Sequence, residues 1–203
     1  MKKILDIYRR YGICGIIEKT LLKLFSITFL DIDKRLCFKK NLNTSLECIY
    51  EYKILSLKDF YIQKNVNPDW FSEKKISDIE KAFLIDGNMP YGIYDKNLLI
   101  AYGWISTKYF GLEMRNLQHN DGFLWDDYTH PKYRGKGLHR AIILIRQNEL
   151  LKLGKNRALT FISSYNKASM SAYKKIGYTV METFYLISYR HSQIKTTLKY
   201  ENI

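Results

Sequence analysis

The sequence predicts an α/β chain in which a mixed sheet is flanked by helices, and three observations predict it. Residues 91–94 and 98–107 are apolar runs joined by the polar turn Asp95-Lys96-Asn97, the pattern of a β-hairpin. Residues 122–129 form a strand-like run that enters an Arg-Gly-Lys-Gly turn, and an apolar helical pattern over 138–153 follows at once. A strand-like stretch at 157–163 then leads into a helix opened by Asn166.

Along the chain, residues 1–45 stand apart as a basic helical extension. Ile13, Ile16, Ile17, Thr20, Leu21 and Leu24 recur at helical spacing and form one apolar face. Glu18, Lys19 and Lys23 fall off that stripe, with Leu22 an apolar exception on the far side. Over residues 1–40, ten Lys or Arg stand against four Asp or Glu, a net +6. A basic amphipathic helix either docks on its own domain or lies on an anionic membrane, and residues 1–25 would make that peripheral contact. No uninterrupted apolar run approaches the roughly 18–20 residues that a membrane-spanning helix needs.

Residues 46–203 read as one domain. Cys48–Ile54 is a first strand, Ser56-Leu57-Lys58-Asp59 looks like a helix start, and Asn67-Pro68-Asp69 opens a segment running through the Glu/Lys-rich 72–85. Gly87 and Pro90 punctuate the entry to the hairpin. The long helix ends at Gly154, the Asn166 helix ends at Gly177 as a left-handed C′ residue, and 179–189 supplies one or two closing strands.

The chemistry concentrates in Arg134-Gly135-Lys136-Gly137-Leu138-His139. Two glycines separated by one residue let the backbone bend sharply and bring its N–H groups close to a ligand. The helix start adds unpaired donors and the positive end of its dipole, so strand, turn and helix together make a pyrophosphate cradle. The turn lacks a Gly-Lys-Ser/Thr ending, which sets aside a Walker-type loop. It also comes late in the chain without a ribose-binding acid behind it, which sets aside a Rossmann fingerprint. Downstream, Asn166 is followed by Ser169 and Tyr173, four residues apart on one helix face, and then by Gly177-Tyr178.

These two segments resemble the cofactor side of the GNAT superfamily of acetyltransferases. Its acyl-CoA signature is Arg or Gln, two residues, Gly, one residue, then Gly or Ala. Arg134 and Gly137 occupy the fixed places, Gly135 is the common extra glycine, and His139 stands where the family has a small residue. Asn166, Ser169, Tyr173 and Gly177-Tyr178 match the second segment. The resemblance implies a mostly antiparallel central sheet of about six to seven strands. It implies acetyl-CoA as the donor substrate, held by Tyr128, Thr129, Arg134, Gly135, Lys136, Gly137, Leu138, His139, Asn166, Ser169 and Tyr173. Tyr173 would be the acid beside the departing sulfur, and the backbone of Tyr128 and Thr129 would donate to the acyl carbonyl.

Direct transfer needs a neutral amine in line with the thioester, preformed N–H donors for the oxyanion and an acid for the thiolate. No metal is required, and the sequence offers no convincing metal cluster. The base stays open. Asp126 and Asp127 are the candidate carboxylates, and as strand neighbours at most one faces the acceptor. Either can instead pair with an Arg. His130 is an alternative, His139 fits a phosphate better, and some members of the family use a water chain. Trp70, Phe71, Trp104, Trp125 and Tyr128 are pocket walls or core, core being the commoner fate.

The 203 residues carry a formal net charge of +13, with 46% hydrophobic and 15% aromatic content. That composition excludes wholesale disorder and suits one packed core. The charge fits solvated lysine faces or a polyanionic partner such as CoA. Nucleic acid ranks low, because no recognised module interleaves basic and aromatic residues. Cys14, Cys37 and Cys48 form no close pair, and Asp6, Arg9 and Arg10 interrupt any secretory apolar core. The expectation is a reduced, cytoplasmic protein, peripheral to membrane if the extension binds there, whose acceptor is a small amine. A nucleotide-linked amino sugar is first among candidates, with a protein amine or a non-catalytic acyl-CoA-binding module as alternatives. Whether it forms a homodimer is open.

Overall fold

The computed structural model describes residues 30–45, 47–109, 117–189 and 192–200, together with Ile13, Ile17, Thr20 and Leu21. The chain divides into two compact units, residues 41–159 and residues 1–40 with 160–203. Both are built from strands and helices, and the mixed, mostly antiparallel sheet flanked by helices is the architecture formed.

In the larger unit the helices start where side chains can satisfy the first N–H groups. Ser56 accepts from Asp59 N, and the Asp59 carboxylate accepts from Ser56 N at 2.8 Å, a capping box that opens α1 (Leu57–Val66). Ser72 likewise caps α2 (Glu73–Phe83). The strands are β2 (Lys53–Ile54), β3 (Asn88–Asp95), β4 (Leu98–Ser106), β5 (Asp121–Thr129) and the first residues of β6 (Arg157–Ser163). They lie in the order β2-β3-β4-β5-β6, antiparallel except for the parallel β5–β6 pair. Between β5 and β6 runs α3 (Leu138–Lys152). Its burial of Leu138, Ala141, Ile142, Ile143, Leu144, Ile145 and Leu150 explains why its sequence is apolar nearly all round.

One side of this sheet carries an aromatic core. Phe60 of α1, Phe71, and Ile76 and Ile79 of α2 pack with Tyr102, Trp104 and Tyr128, and Phe60 meets Tyr102 edge-on at 5.3 Å. Gln63 is buried with them because both ends of its amide are used: it accepts from Leu99 N at 3.0 Å and donates to Asn97 O at 2.9 Å. Residues flanking Gly103 point into this core, so Gly103 itself faces the other side, where α3 lies. The parallel register is fixed by Asp121, 2% exposed, which takes both oxygens to the Arg157 guanidinium at 2.6 and 2.9 Å.

The smaller unit holds β1 (Leu30–Asn41), the remainder of β6, α4 (Lys167–Lys175), β7 (Thr179–Tyr189) and β8 (Ser192–Tyr200), with strand order β6-β1-β7-β8. β1 corrects the expectation of a helical extension through residue 45. Its alternation is broken by a register shift between Cys37 and Phe38, and both side chains are fully buried, so no period of two is visible there. A second correction concerns the first strand of the domain, which spans Lys53–Ile54 and not Cys48–Ile54. Ile49 stays 85% exposed, and Tyr52 turns to donate to Glu149 at 2.7 Å. Ile13, Ile17, Thr20 and Leu21 are helical and exposed, whereas Ile16, Leu24 and most of the expected amphipathic helix lie outside the described residues. Among the described residues no helix is long and apolar enough to cross a membrane.

The capping box gives a pH-dependent prediction. Burial pushes the Asp59 carboxyl up, but hydrogen bonds from Lys53 and Ser56 outweigh it and hold the group at about 2. Because the folded value lies below the unfolded one, this stabilisation is present above pH 4 and lost as pH falls from about 4 to about 2. Asp59→Asn should lower unfolding free energy by about 1 kcal/mol at pH 7. Chemical denaturation at several pH values should find that difference shrinking below pH 4.

Candidate active site

Where β5 ends, the chain must turn and start α3 within a few residues. Pro131–Tyr133 form a single 3-10 turn capped by His130, whose Nδ1 accepts from Lys132 N at 3.3 Å. Gly135 and Gly137 follow, each at φ +80°, the left-handed region that only glycine enters cheaply. A side chain at either position would meet no atom within 4 Å, so the space in front of this backbone is open. Gly137 is the N-cap of α3 and supplies no side-chain cap, which leaves the first N–H groups of the helix directed outward. Arg134 and Lys136 add two cations. Arg134 donates to Thr129 O at 3.3 Å, and the Lys136 ammonium lies 5.0 Å from the centre of the Tyr133 ring. Open backbone, an uncapped helix start, its dipole and two cations fit a pyrophosphate.

Upstream, β5 leaves β6 early and bulges against β4 before pairing with it again at Tyr128 and Thr129. Its ladder with β6 covers only Asp121–Phe123. Against β4, Tyr102 pairs with Tyr128 and Trp104 with Trp125, so Asp126 and Asp127 together face Gly103 alone. This is a β-bulge, and Asp126 takes φ +53° within it. The bulge sends the two carboxylates to different partners. Asp126 accepts both of its short contacts from Lys75 Nζ, at 2.6 and 2.7 Å, and a third from the Tyr102 hydroxyl at 3.2 Å. Burial and the Asp126 charge push the Tyr102 phenol well above its usual range, which keeps it a donor. Asp127 pairs through Oδ1 with Arg146 at 2.5 Å and through Oδ2 with His139 Nε2 at 3.0 Å.

The larger unit thus gathers Asp126, Asp127, Tyr128, Thr129, Arg134, Gly135, Lys136, Gly137, Leu138 and His139 into one stretch of strand, turn and helix. Of these, Tyr128 and Leu138 have only backbone to offer. Tyr128 is 2% exposed, stacks 4.5 Å from Trp70 and accepts from Asn67 at 2.9 Å, and burial raises its phenol to about 12. Phe71 and Trp104 are core, and Trp125 stacks on Trp104 at 5.2 Å. His130 is lowered by burial and by the charges of Lys132 and Arg134, so it is neutral at pH 7. The smaller unit holds Asn166, Ser169 and Tyr173. Asn166 caps α4 by accepting from Ser169 N at 3.3 Å, and Tyr173, 1% exposed, packs edge-on against Tyr178 at 4.9 Å. Gly177 at φ +91° ends that helix. Among the described residues no group of His, Cys, Asp and Glu could hold a metal.

Sequence reasoning missed Lys75, Tyr102 and Arg146, the groups that engage the two carboxylates. Lys75 lies in a Glu/Lys-rich stretch without distinction. Arg146 is no better marked: it ends the apolar run Ala141–Ile145 and opens the polar stretch Arg146-Gln147-Asn148-Glu149, so nothing in the sequence shows that it is buried.

The sequence model described as the acetyltransferase (GNAT) family matches residues 53–178. No curated protein was found to match the sequence. Among solved structures, one described as a GNAT-family acetyltransferase from Novosphingobium aromaticivorans is 14% identical with a TM-score of 0.55, over 77% of this chain and 63% of that one. The glucosamine N-acetyltransferase region of a fungal multi-domain β-N-acetylglucosaminidase is 14% identical with a TM-score of 0.56, over 84% and 23%. An aminoglycoside N-acetyltransferase in complex with CoA is 12% identical with a TM-score of 0.50, over 75% and 100%. The chain thus spans less than two thirds of the length of the first two, and these are likenesses of fold.

Gly137→Asp should weaken binding of acetyl-CoA about tenfold or more in a calorimetric titration, by placing an anion at the positive end of α3. Gly137→Asn, which tolerates the left-handed conformation without charge, should bind more tightly than Gly137→Asp. Equal affinities for both variants would assign the effect to backbone strain.

Proposed function

The chain belongs to the GNAT family of acetyltransferases, and on that premise we propose that it is an acetyl-CoA-dependent N-acetyltransferase. It transfers the acetyl group directly to a primary amine of a small molecule, with a nucleotide-linked amino sugar as the leading candidate. The observation that carries this reading is the uncapped start of α3 behind two left-handed glycines that face open space.

The backbone N–H groups of the Gly135–His139 stretch, with Arg134 and Lys136, hold the pyrophosphate of acetyl-CoA. The pantetheine arm runs along β5 beyond Phe123, where that strand has left the β6 ladder and its peptide groups can meet the arm. N–H donors in this segment stabilise the oxyanion as the amine attacks the thioester carbon. The carbon–sulfur bond then breaks and the amide forms: the amine nitrogen loses its proton to water, Tyr173 gives its own to the departing thiolate, and water reprotonates the phenol.

Both candidate carboxylates already face a cation, Asp126 facing Lys75 and Asp127 facing Arg146. The Lys75–Asp126 pair is partly exposed, at 23% and 25%, whereas Arg146 is sealed. An ammonium arriving on the α2 side can therefore compete with Lys75 for Asp126, which makes Asp126 the better placed of the two to receive the acceptor. The formal charge of +13 suits an acceptor that carries its own phosphates.

The test is release of CoA thiol from acetyl-CoA over a panel of amines that includes nucleotide-linked amino sugars. Release on one amine supports the reading and names the acceptor. Release only with peptide amines would replace the small-molecule acceptor with a protein. Tyr173→Phe should lower turnover by about ten- to a hundredfold with little change in acetyl-CoA affinity. Unchanged turnover across pH would remove the acid role.

A further inference from the structure

Arg146 is fully buried on α3, two helical turns beyond His139, and its guanidinium is spent on the bulge in β5. Nε donates to Ile142 O at 3.0 Å, which fixes the side chain against its own helix. Nη1 donates to Trp104 O at 3.0 Å and Trp125 O at 3.3 Å, the cross-strand pair on one side of the bulge. Nη2 forms an ion pair with Asp127, within the bulge itself, at 2.5 Å. The group lies flat on Gly103: a Cβ there would sit 2.6 Å from both Cζ and Nη1.

A buried cation is a costly device, and apolar side chains of similar volume often stabilise a fold as well or better. Stability is therefore a weak reason for an arginine here, and its geometry supplies a stronger one. One guanidinium takes the two carbonyls of the pair that borders the bulge and one carboxylate within it. Without it, Gly103 would face two residues with nothing to hold them apart from β4, and the lower-energy course is a straight ladder with Asp126 out of its left-handed conformation.

We propose that Arg146, seated on Gly103, is a positioning residue for acetyl transfer: it holds the bulge at Asp126–Asp127 and so aims the β5 backbone at the reacting thioester. The proposal rests on the transferase reading above. The cradle at Gly135–His139 is a separate piece of backbone, so loss of Arg146 misplaces the reacting carbonyl without releasing the phosphates. Gly103 belongs to the same device, because it must be glycine only while the guanidinium is there.

The experiment is a double-mutant cycle on Gly103→Ala and Arg146→Met. Turnover, acetyl-CoA affinity and amide hydrogen exchange at Trp125–Tyr128 are read in each variant. Arg146→Met should lower kcat at least tenfold, leave acetyl-CoA affinity within about twofold, and speed exchange at Asp126 and Asp127. Gly103→Ala should do the same in the presence of Arg146 and add little in its absence, because the two groups share one contact; the fall in kcat with acetyl-CoA affinity kept is what a merely structural arginine would not produce. If Arg146→Met fails to fold, Gly103→Ala with Arg146 in place still reads the clamp. Normal kcat and exchange in folded Gly103→Ala, or additive effects in the cycle, would overturn the proposal. A wild-type chain that fails to bind acetyl-CoA would instead overturn the transferase reading, and the exchange rates would still decide the clamp.

Discussion

Everything at the site depends on a helix that begins without a cap. α1, α2 and α4 open with Ser56, Ser72 and Asn166, each of which accepts from its own helix. α3 opens with Gly137, which has no side chain to do so. An uncapped helix start at the end of a core strand keeps its donors for another molecule. The neighbouring features follow from that arrangement. Gly135 and Gly137 have to be glycine for the chain to enter α3 at once, and Leu138 anchors the first turn by burying its side chain.

The second constraint is the bulge. A strand in ladder on both edges has no peptide groups to offer; β5 escapes on the β6 edge and is interrupted by a bulge on the β4 edge. It leaves β6 after Phe123 and slips its register against β4 at Gly103. The bulge also sorts two adjacent carboxylates. Asp126 goes to the side of α2 and meets a partly exposed lysine, while Asp127 goes to the side of α3 and meets a sealed arginine and His139. One local irregularity therefore assigns unlike environments to residues that look equivalent in the sequence.

The cradle was legible in the sequence because its determinants are local. A strand run, two glycines one residue apart and an apolar helix are visible in a short window, and Asn166, Tyr173 and Gly177 form a second such window. The capping Ser56 and the Asp95–Asn97 turn were legible for the same reason. The bulge was not, since no residue in Trp125–Tyr128 announces that two residues will face one, and only the partner strand reveals it. β1 was hidden by the opposite accident: Cys37 and Phe38 are both buried across a register shift, which erases the alternation a strand reading relies on. The partners of Asp126 and Asp127, Lys75 and Arg146, lie 51 and 19 residues away in the chain, beyond the reach of spacing arguments.

The proposed function turns on the backbone of residues 135–139 holding the phosphates of CoA. The most direct measurement is the change in backbone amide NMR shifts of the 15N-labelled chain on addition of CoA, followed in parallel with pantetheine, which lacks the pyrophosphate. If that backbone holds the phosphates, CoA moves the amides of Gly135, Gly137, Leu138 and His139 and pantetheine leaves them in place. Amides that stay still in saturating CoA, or that move equally with pantetheine, would contradict it.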